Sequence, residues 1–260
     1  LKMYCDHTTG SLLLADQEQR RVHLRAWARV TDKPVAVHAE GDTLAAVLQL
    51  AREERVRVHF CHVSLATEIA LLRAAKSDGL PISVGVTPHH LYLEAADRER
   101  LGRFALVKPP LKTSADREAL WAAVLDGTVD TIESDHAPHT RDEKLSSEPP
   151  FGLPGLETTM PLMVTAMGER GLSETRLVEL LATNAHRLFG LQPPPQTYTL
   201  VDTDAVFEIR DQDLRCSPGW SPYRGMQVRG RVREVRIRGR VAFDGQRVLA
   251  QPGDGRSVLS

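Results

Sequence analysis

The stretch Val35-Ala36-Val37-His38-Ala39-Glu40, the amphipathic run Asp42–Arg55, and then Val56-Arg57-Val58-His59-Phe60-Cys61-His62 read as strand, helix, strand. Two apolar runs joined by such a helix form a parallel pair, because parallel neighbours need a crossover connection. The alternation extends in both directions. Strands are predicted at Leu1–Tyr4, Pro34–His38, Val56–His62, Pro81–Val86 and Val129–Ser134. Helices are predicted between them at Ala15–Val30, Asp42–Arg55, Ser64–Ser77 and Ala115–Leu125. The fold class is therefore α/β with a parallel sheet, and 260 residues suit one barrel or two smaller domains.

In a barrel of this kind the functional residues stand at the carboxyl ends of the strands and in the loops that follow. His38, His62, His89 and Asp135 all fall at or just beyond predicted strand ends. The run Ser134-Asp135-His136-Ala137-Pro138-His139-Thr140 adds a carboxylate and two imidazoles to one loop. A lone histidine is more often packed or hydrogen-bonded than ligating. Several at equivalent ends of successive parallel strands converge on one point. Imidazole with carboxylate is a ligand set suited to zinc and related divalent ions.

Beyond Asp135 comes a loop rich in Pro and Gly, Ser146–Gly155, then predicted helices near Leu156–Arg170, Ser173–Ala182 and Ala185–Phe189. The Pro-rich Gln192–Thr197 reads as a linker. After it, Val201–Ile209 and Val228–Leu249 read as strands, with a hairpin-turn signal at Phe243-Asp244-Gly245-Gln246. The expected organisation is a barrel portion over 1–191 and a linker with a small β-structure over 192–260.

Charge and composition exclude several classes. Arg231, Arg233, Arg236, Arg238 and Arg240 alternate with Val and Ile, which fits a strand with one wet face. A net charge of -1 and a pI near 6.9 give no pull toward nucleic acid or anionic membrane. No apolar run approaches the roughly 20 residues of a membrane span. No secretory signal is visible, and Cys5, Cys61 and Cys216 are odd in number and far apart, so a reducing cytoplasm is expected. The chain opens without Met inside a predicted strand, so an N-terminally incomplete barrel is expected.

On these motifs the sequence resembles the dihydroorotase branch of the amidohydrolase superfamily. The pieces that carry the resemblance are Lys2 beside Met3 and Tyr4, Val37-His38-Ala39-Glu40, Cys61-His62-Val63, Thr87-Pro88-His89-His90-Leu91, Ser134–His139 and Gly152-Leu153-Pro154-Gly155-Leu156-Glu157. Ser217–Tyr223 with Gly225 is similar to the family's late segment. Within the branch, the chain looks most like the dihydroorotase domain of the animal multifunctional pyrimidine-synthesis protein.

The resemblance implies a (β/α)8 TIM-type barrel of the metal-dependent hydrolase kind, N-terminally incomplete, with a small C-terminal β-structure. It implies reversible interconversion of N-carbamoyl-L-aspartate and L-dihydroorotate in de novo pyrimidine synthesis. Lys2 matches a lysine that is carboxylated and bridges two zinc ions, and His38 and His62 match ligands of the second ion. Asp135 matches a ligand of the first ion that is also the catalytic acid/base. Thr8, Lys108, His139, Phe151 and Gly152 match substrate-binding positions. A homodimer and an aspartate carbamoyltransferase partner are implied as well.

Three departures stand beside the matches. The family's His-x-His pair is absent from this chain, position 108 is Lys where the animal domain has Arg, and Gly85 stands where the family commonly has an acid. A site relying on that acid is expected to be lost, and the chain alone is expected to be weak or inactive. The other readings left open are an inactive scaffold for aspartate carbamoyltransferase and a hydantoinase- or allantoinase-type enzyme.

Overall fold

A computed structural model describes residues 1–8 and 10–257; residues 258–260, the end of the segment 192–260, lie outside the described residues with residue 9. Five short strands pair in chain order: β1 (Lys2–Tyr4), β2 (Val35–His38), β3 (Val58–Phe60), β4 (Ile82–Val86) and β5 (Thr131–Ile132). All four pairings are parallel. Between them run α1 (Gln17–Ala28), α2 (Gly41–Glu54), α3 (Ala66–Ser77), the short α4 (Pro88–Tyr92) and α5 (Asp97–Leu101), and α6 (Ser114–Asp126). This is a five-stranded portion of an α/β barrel.

Register sorts the side chains. Met3, Val37, Phe60 and Val84 lie in one cross-strand row, and Lys2, Ala36, His59 and Ser83 in the next. Successive side chains point to opposite faces, so one row is apolar and the other polar. The apolar row is buried with Leu44, Val47, Ile69, Leu72, Leu120 and Val124 of the covering helices. The polar row lines the interior, where His59 and Ser83 are buried.

At the carboxyl rim, carboxylates tie successive helix starts together. Asp6 accepts from the Glu40 amide at 2.8 Å and from the Thr43 hydroxyl at 2.9 Å. Buried Glu68 accepts from the amides of Gly41 (2.7 Å), Ser64 (3.1 Å) and Leu65 (3.0 Å). Asp116 accepts from Ala66 at 3.0 Å. Each satisfies amides that a helix start leaves without partners, and each places negative charge at the positive end of a helix dipole.

The remaining elements are α7 (Arg141–Leu145), α8 (Leu156–Arg170), α9 (Glu174–Val178), α10 (Asn184–Phe189) and an antiparallel sheet of β6 (Tyr198–Glu208), β7 (Gln227–Ile237) and β8 (Arg240–Phe243). β7 lies against α8. The Arg229 amide donates to Thr165 Oγ1 at 2.7 Å, and a Cβ at Gly230 would stand 2.6 Å from Val164 Cβ. A second core, with Val107, Leu153, Leu162, Ile209, Trp220 and Val228 among its members, joins this segment to the barrel portion.

Several expectations are corrected. The strands predicted over Val56–His62 and Val129–Ser134 shorten to β3 and β5, and His62 (φ 36°) and Asp135 (φ 42°) lie beyond their ends in left-handed backbone. His89 falls just beyond the end of β4, as expected, but within a short helix rather than in a loop. Thr87 caps α4 and Pro88 occupies its first turn; His89 is fully buried, neither of its ring nitrogens is hydrogen-bonded among the described residues, and it lies close enough to His62 for charge to act between them. The predicted helix Ser173–Ala182 breaks into α9 and a π-turn over Glu179–Thr183. The β7–β8 turn is made by Arg238 and Gly239, both at positive φ, while the predicted turn follows β8 and closes on a Phe243–Val248 bridge.

Replacing Glu68 with Ala would leave three rim amides without their acceptor. The expected loss in urea unfolding is about 2–4 kcal/mol. A loss well under about 1 kcal/mol would show that water substitutes for the carboxylate and that the rim tie is dispensable.

Candidate active site

The rim brings four of the expected residues to one place. His38 ends β2, and the φ of 36° at His62 directs its ring toward His38. His38 Nδ1 and His62 Nε2 are 3.0 Å apart, with ring centroids at 4.6 Å. Both rings are buried, and His38 Nε2 and His62 Nδ1 have no hydrogen-bond partner among the described residues. Burial, with the nearby Lys2 ammonium, holds His38 at about 4 and His62 well below the usual imidazole range. Both rings are therefore neutral at pH 7 and able to offer lone pairs. A tetrahedral zinc at about 2.0–2.1 Å from each nitrogen needs them about 3.3–3.4 Å apart. The 3.0 Å pair fits a shared cation with a small adjustment.

Lys2 and Asp135 complete the group. Lys2 sits on β1 with Nζ 5.4 Å from the centre of the Tyr4 ring, and its charge acts on His38, His62 and Asp135 alike. Asp135 follows β5 in left-handed backbone, a conformation in which Asp is several-fold enriched among non-glycines. Burial raises its carboxyl to about 6, with Lys2 opposing and Glu133 adding to the rise. At neutral pH it is still an anion, poised to take a proton.

The substrate-matching residues gather beside this group. Lys108 Nζ lies 5.2 Å from the Phe151 ring centre and close enough for its charge to act on His38. His139 Nε2 is 3.1 Å from the Phe151 carbonyl oxygen, and the Trp220 indole donates to the His139 carbonyl at 2.7 Å. Gly152 has φ 129°, and a Cβ there would stand 2.6 Å from the Ala137 carbonyl oxygen and 3.3 Å from His139 Cδ2. Only glycine lets the 150s loop lie this close to the Asp135–His139 segment. The loop is also pinned at its base. Lys144, fully buried on α7, donates to the carbonyls of Leu106 (3.0 Å), Pro150 (2.9 Å) and Gly152 (3.0 Å). Thr8 lies half-buried in the loop that follows β1.

Sequence reasoning missed Lys144, and it missed a second cluster in the barrel interior. Ligand atoms of His59, Cys61 and Glu133 all lie within 4.8 Å of one another, a candidate cation site. The signal was available: residues 59 and 61 share a face by strand alternation. Here His59 Nε2 is hydrogen-bonded to Glu133 Oε1 and His59 Nδ1 to Ser83 Oγ at 2.8 Å. Burial works against a charge on His59, but the Glu133 carboxylate and Cys61 together outweigh it and raise the imidazole to about 10. The carboxylate expected to be lost at Gly85 is replaced in space: a Cβ at Gly85 would stand 2.8 Å from Glu133 Oε2 and nearer still to Oε1.

Comparisons with known proteins agree with this architecture. No protein-family model matches the chain. The multifunctional protein pyr1-3 of Dictyostelium discoideum is 41% identical over 262 aligned residues, which take in 100% of this chain and 12% of that protein. The dihydroorotase of Lactiplantibacillus plantarum is 33% identical over 91% of this chain and 62% of its own length. The chain thus spans less than two thirds of either relative. Among solved structures, D-hydantoinase from a Thermus species superposes with a TM-score of 0.92 at 21% identity, covering 99% of this chain and 66% of that one. The inactive dihydroorotase-like domain of the Chaetomium thermophilum CAD-like protein gives a TM-score of 0.77 at 23% identity, covering 96% and 69%. The fold is that of the TIM-barrel amidohydrolases, and the sequence resembles the dihydroorotases.

A raised carboxyl has a sign that can be checked. The folded chain binds the Asp135 proton more tightly than the unfolded chain between the ordinary 3.8 and about 6. Its charge therefore costs stability above pH 6, and that cost disappears as pH falls toward 4. Asp135→Asn is expected to stabilise the metal-free chain at pH 7 by roughly 1–3 kcal/mol in urea, with the advantage vanishing near pH 4. A destabilised variant at pH 7 would show instead that the carboxylate is held by favourable partners.

Proposed function

We propose that this chain, which resembles the dihydroorotases, carries much of the active site of a zinc-dependent cyclic amidohydrolase that interconverts N-carbamoyl-L-aspartate and L-dihydroorotate in pyrimidine synthesis. The observation that supports it is a juxtaposition. Two neutral, buried imidazoles with nitrogens 3.0 Å apart stand beside a carboxylate raised to about 6 and a basic rim of Lys108 and His139.

His38 and His62 would hold one zinc ion, Asp135 the other, and carboxylated Lys2 would bridge them. Carboxylation turns a cationic amine into an oxygen donor, which the position between His38, His62 and Asp135 calls for. When bound, such a pair of ions supplies a Lewis acid that activates water and polarises an amide carbonyl. The remaining steps belong to the chain. Asp135 accepts a proton from the attacking water and returns it to the leaving amide nitrogen; in reverse it assists ring closure. Lys108 and His139 receive the substrate carboxylate, Lys108 as a point charge. Backbone groups at Phe151 and Gly152 hold the ring, and Thr8 closes over it from the β1 loop.

In this reading 1–191 is the barrel unit and 192–260 the appended linker and β-rich unit of a cytoplasmic protein. A homodimer and association with aspartate carbamoyltransferase follow from the same reading. The scaffold alternative is disfavoured by the presence of Lys2, His38, His62 and Asp135 together.

The test is hydrolysis of dihydroorotate by the full polypeptide containing this chain, with metal analysis. Zinc-dependent turnover is expected, with Asp135→Asn lowering kcat by about 10²-fold or more. A metal-free, inactive polypeptide would sink the reading. Faster hydrolysis of hydantoin than of dihydroorotate would change its substrate.

A further inference from the structure

We propose that Glu133 is a positioning residue for the His38–His62 pair: its carboxylate, reaching from just past β5 through the space Gly85 leaves open, holds the His62 turn. The proposal rests on the reading of His38 and His62 as metal ligands.

The backbone around His62 shows why a holder is needed. The neighbouring amides are held by backbone carbonyls, Cys61 by Val37 at 3.1 Å and Val63 by Gly85 at 2.8 Å. His62 lies between them at φ 36°, a strained conformation that a non-glycine residue keeps only where its surroundings enforce it. Its amide donates to Glu133 Oε2 at 3.1 Å. The strained residue is thus the one whose amide relies on a side chain rather than on the sheet.

The carboxylate is fixed from its other side. Glu133 Oε1 is bonded to His59 Nε2 and accepts from Thr131 Oγ1 at 3.2 Å, and His59 is itself held by Ser83. One carboxylate therefore connects three strands through β3, β4 and β5 residues. It can do so because position 85 has no side chain: any Cβ there would overlap the carboxylate. Gly85, on β4, and Glu133, just past β5, form a steric pair. Moving the carboxylate frees the His62 amide, and the turn that aims His62 Nε2 at His38 Nδ1 loses its support.

The experiment compares the chain with its Glu133→Ala, Glu133→Gln and Gly85→Ala variants. Two readouts are used: hydrogen exchange at single amides in the metal-free protein, and zinc affinity measured with zinc alone. Glu133→Ala and Gly85→Ala are expected to speed exchange at the His62 amide by about 10-fold or more while Val63 keeps its protection. Zinc affinity should fall about 10–100-fold, the range typical when an outer partner of a ligand is removed. Glu133→Gln adds no atoms and keeps an acceptor oxygen, so it should retain most of the His62 protection. Unchanged exchange and zinc affinity in Glu133→Ala would overturn the proposal. So would equal loss of protection at Cys61, His62 and Val63, which would mark a general structural role. If the parent chain binds no zinc, the metal reading fails, and exchange at His62 still decides whether Glu133 positions it.

Discussion

Parallel pairing forces every strand to end on the same rim, and the chemistry of this chain depends on that constraint. The register Lys2–Ala36–His59–Ser83 sets one polar row facing inward and leaves Met3, Val37, Phe60 and Val84 to the helices. Because the rows advance together, His38, His62 and Asp135 leave their strands at comparable heights. Lys2 lies one step below on the neighbouring strand. Residues 133 positions apart in sequence thereby share one electrostatic environment, as the action of the Lys2 charge on Asp135 records.

A rim made of loops needs fixing, and the fixing here is mostly carboxylate to amide. Asp6, Glu68 and Asp116 hold the starts of successive helices. Lys144 does the converse on the far side, a buried ammonium satisfying three carbonyls beneath the 150s loop. Burial pushes its charge down to about 8, and the three acceptors favour keeping it. The histidines that face the centre are neutral, the carboxylate that faces it is raised, and the charged groups that support them sit one layer out. That division leaves the central groups free to exchange protons or hold a cation.

Much of this was legible from the sequence, and what was not has physical reasons. The five strands and the larger helices show themselves through apolar runs of the right period, so the parallel sheet and the positions of His38, His62 and Asp135 followed. At His89 only the element was hidden: a histidine after an apolar run looks the same whether the strand leads into a loop or into a proline-started helix. Glu133 beside Ile132 reads as a strand-end acid, and its bonds to His59 and to the His62 amide depend on an empty place at Gly85 that no local pattern reveals. Lys144 sits among Arg141, Asp142 and Glu143, which read as solvated; only the closing of the 150s loop over it makes it a buried anchor.

The central claim is that strand-end convergence makes His38 and His62 a single ligand pair. Anomalous diffraction from crystals of the chain soaked in zinc tests it directly. The account predicts a zinc peak bonded to His38 Nδ1 and His62 Nε2, about 2.0–2.1 Å from each. A peak bound elsewhere, with the two imidazoles still paired to each other, would contradict it.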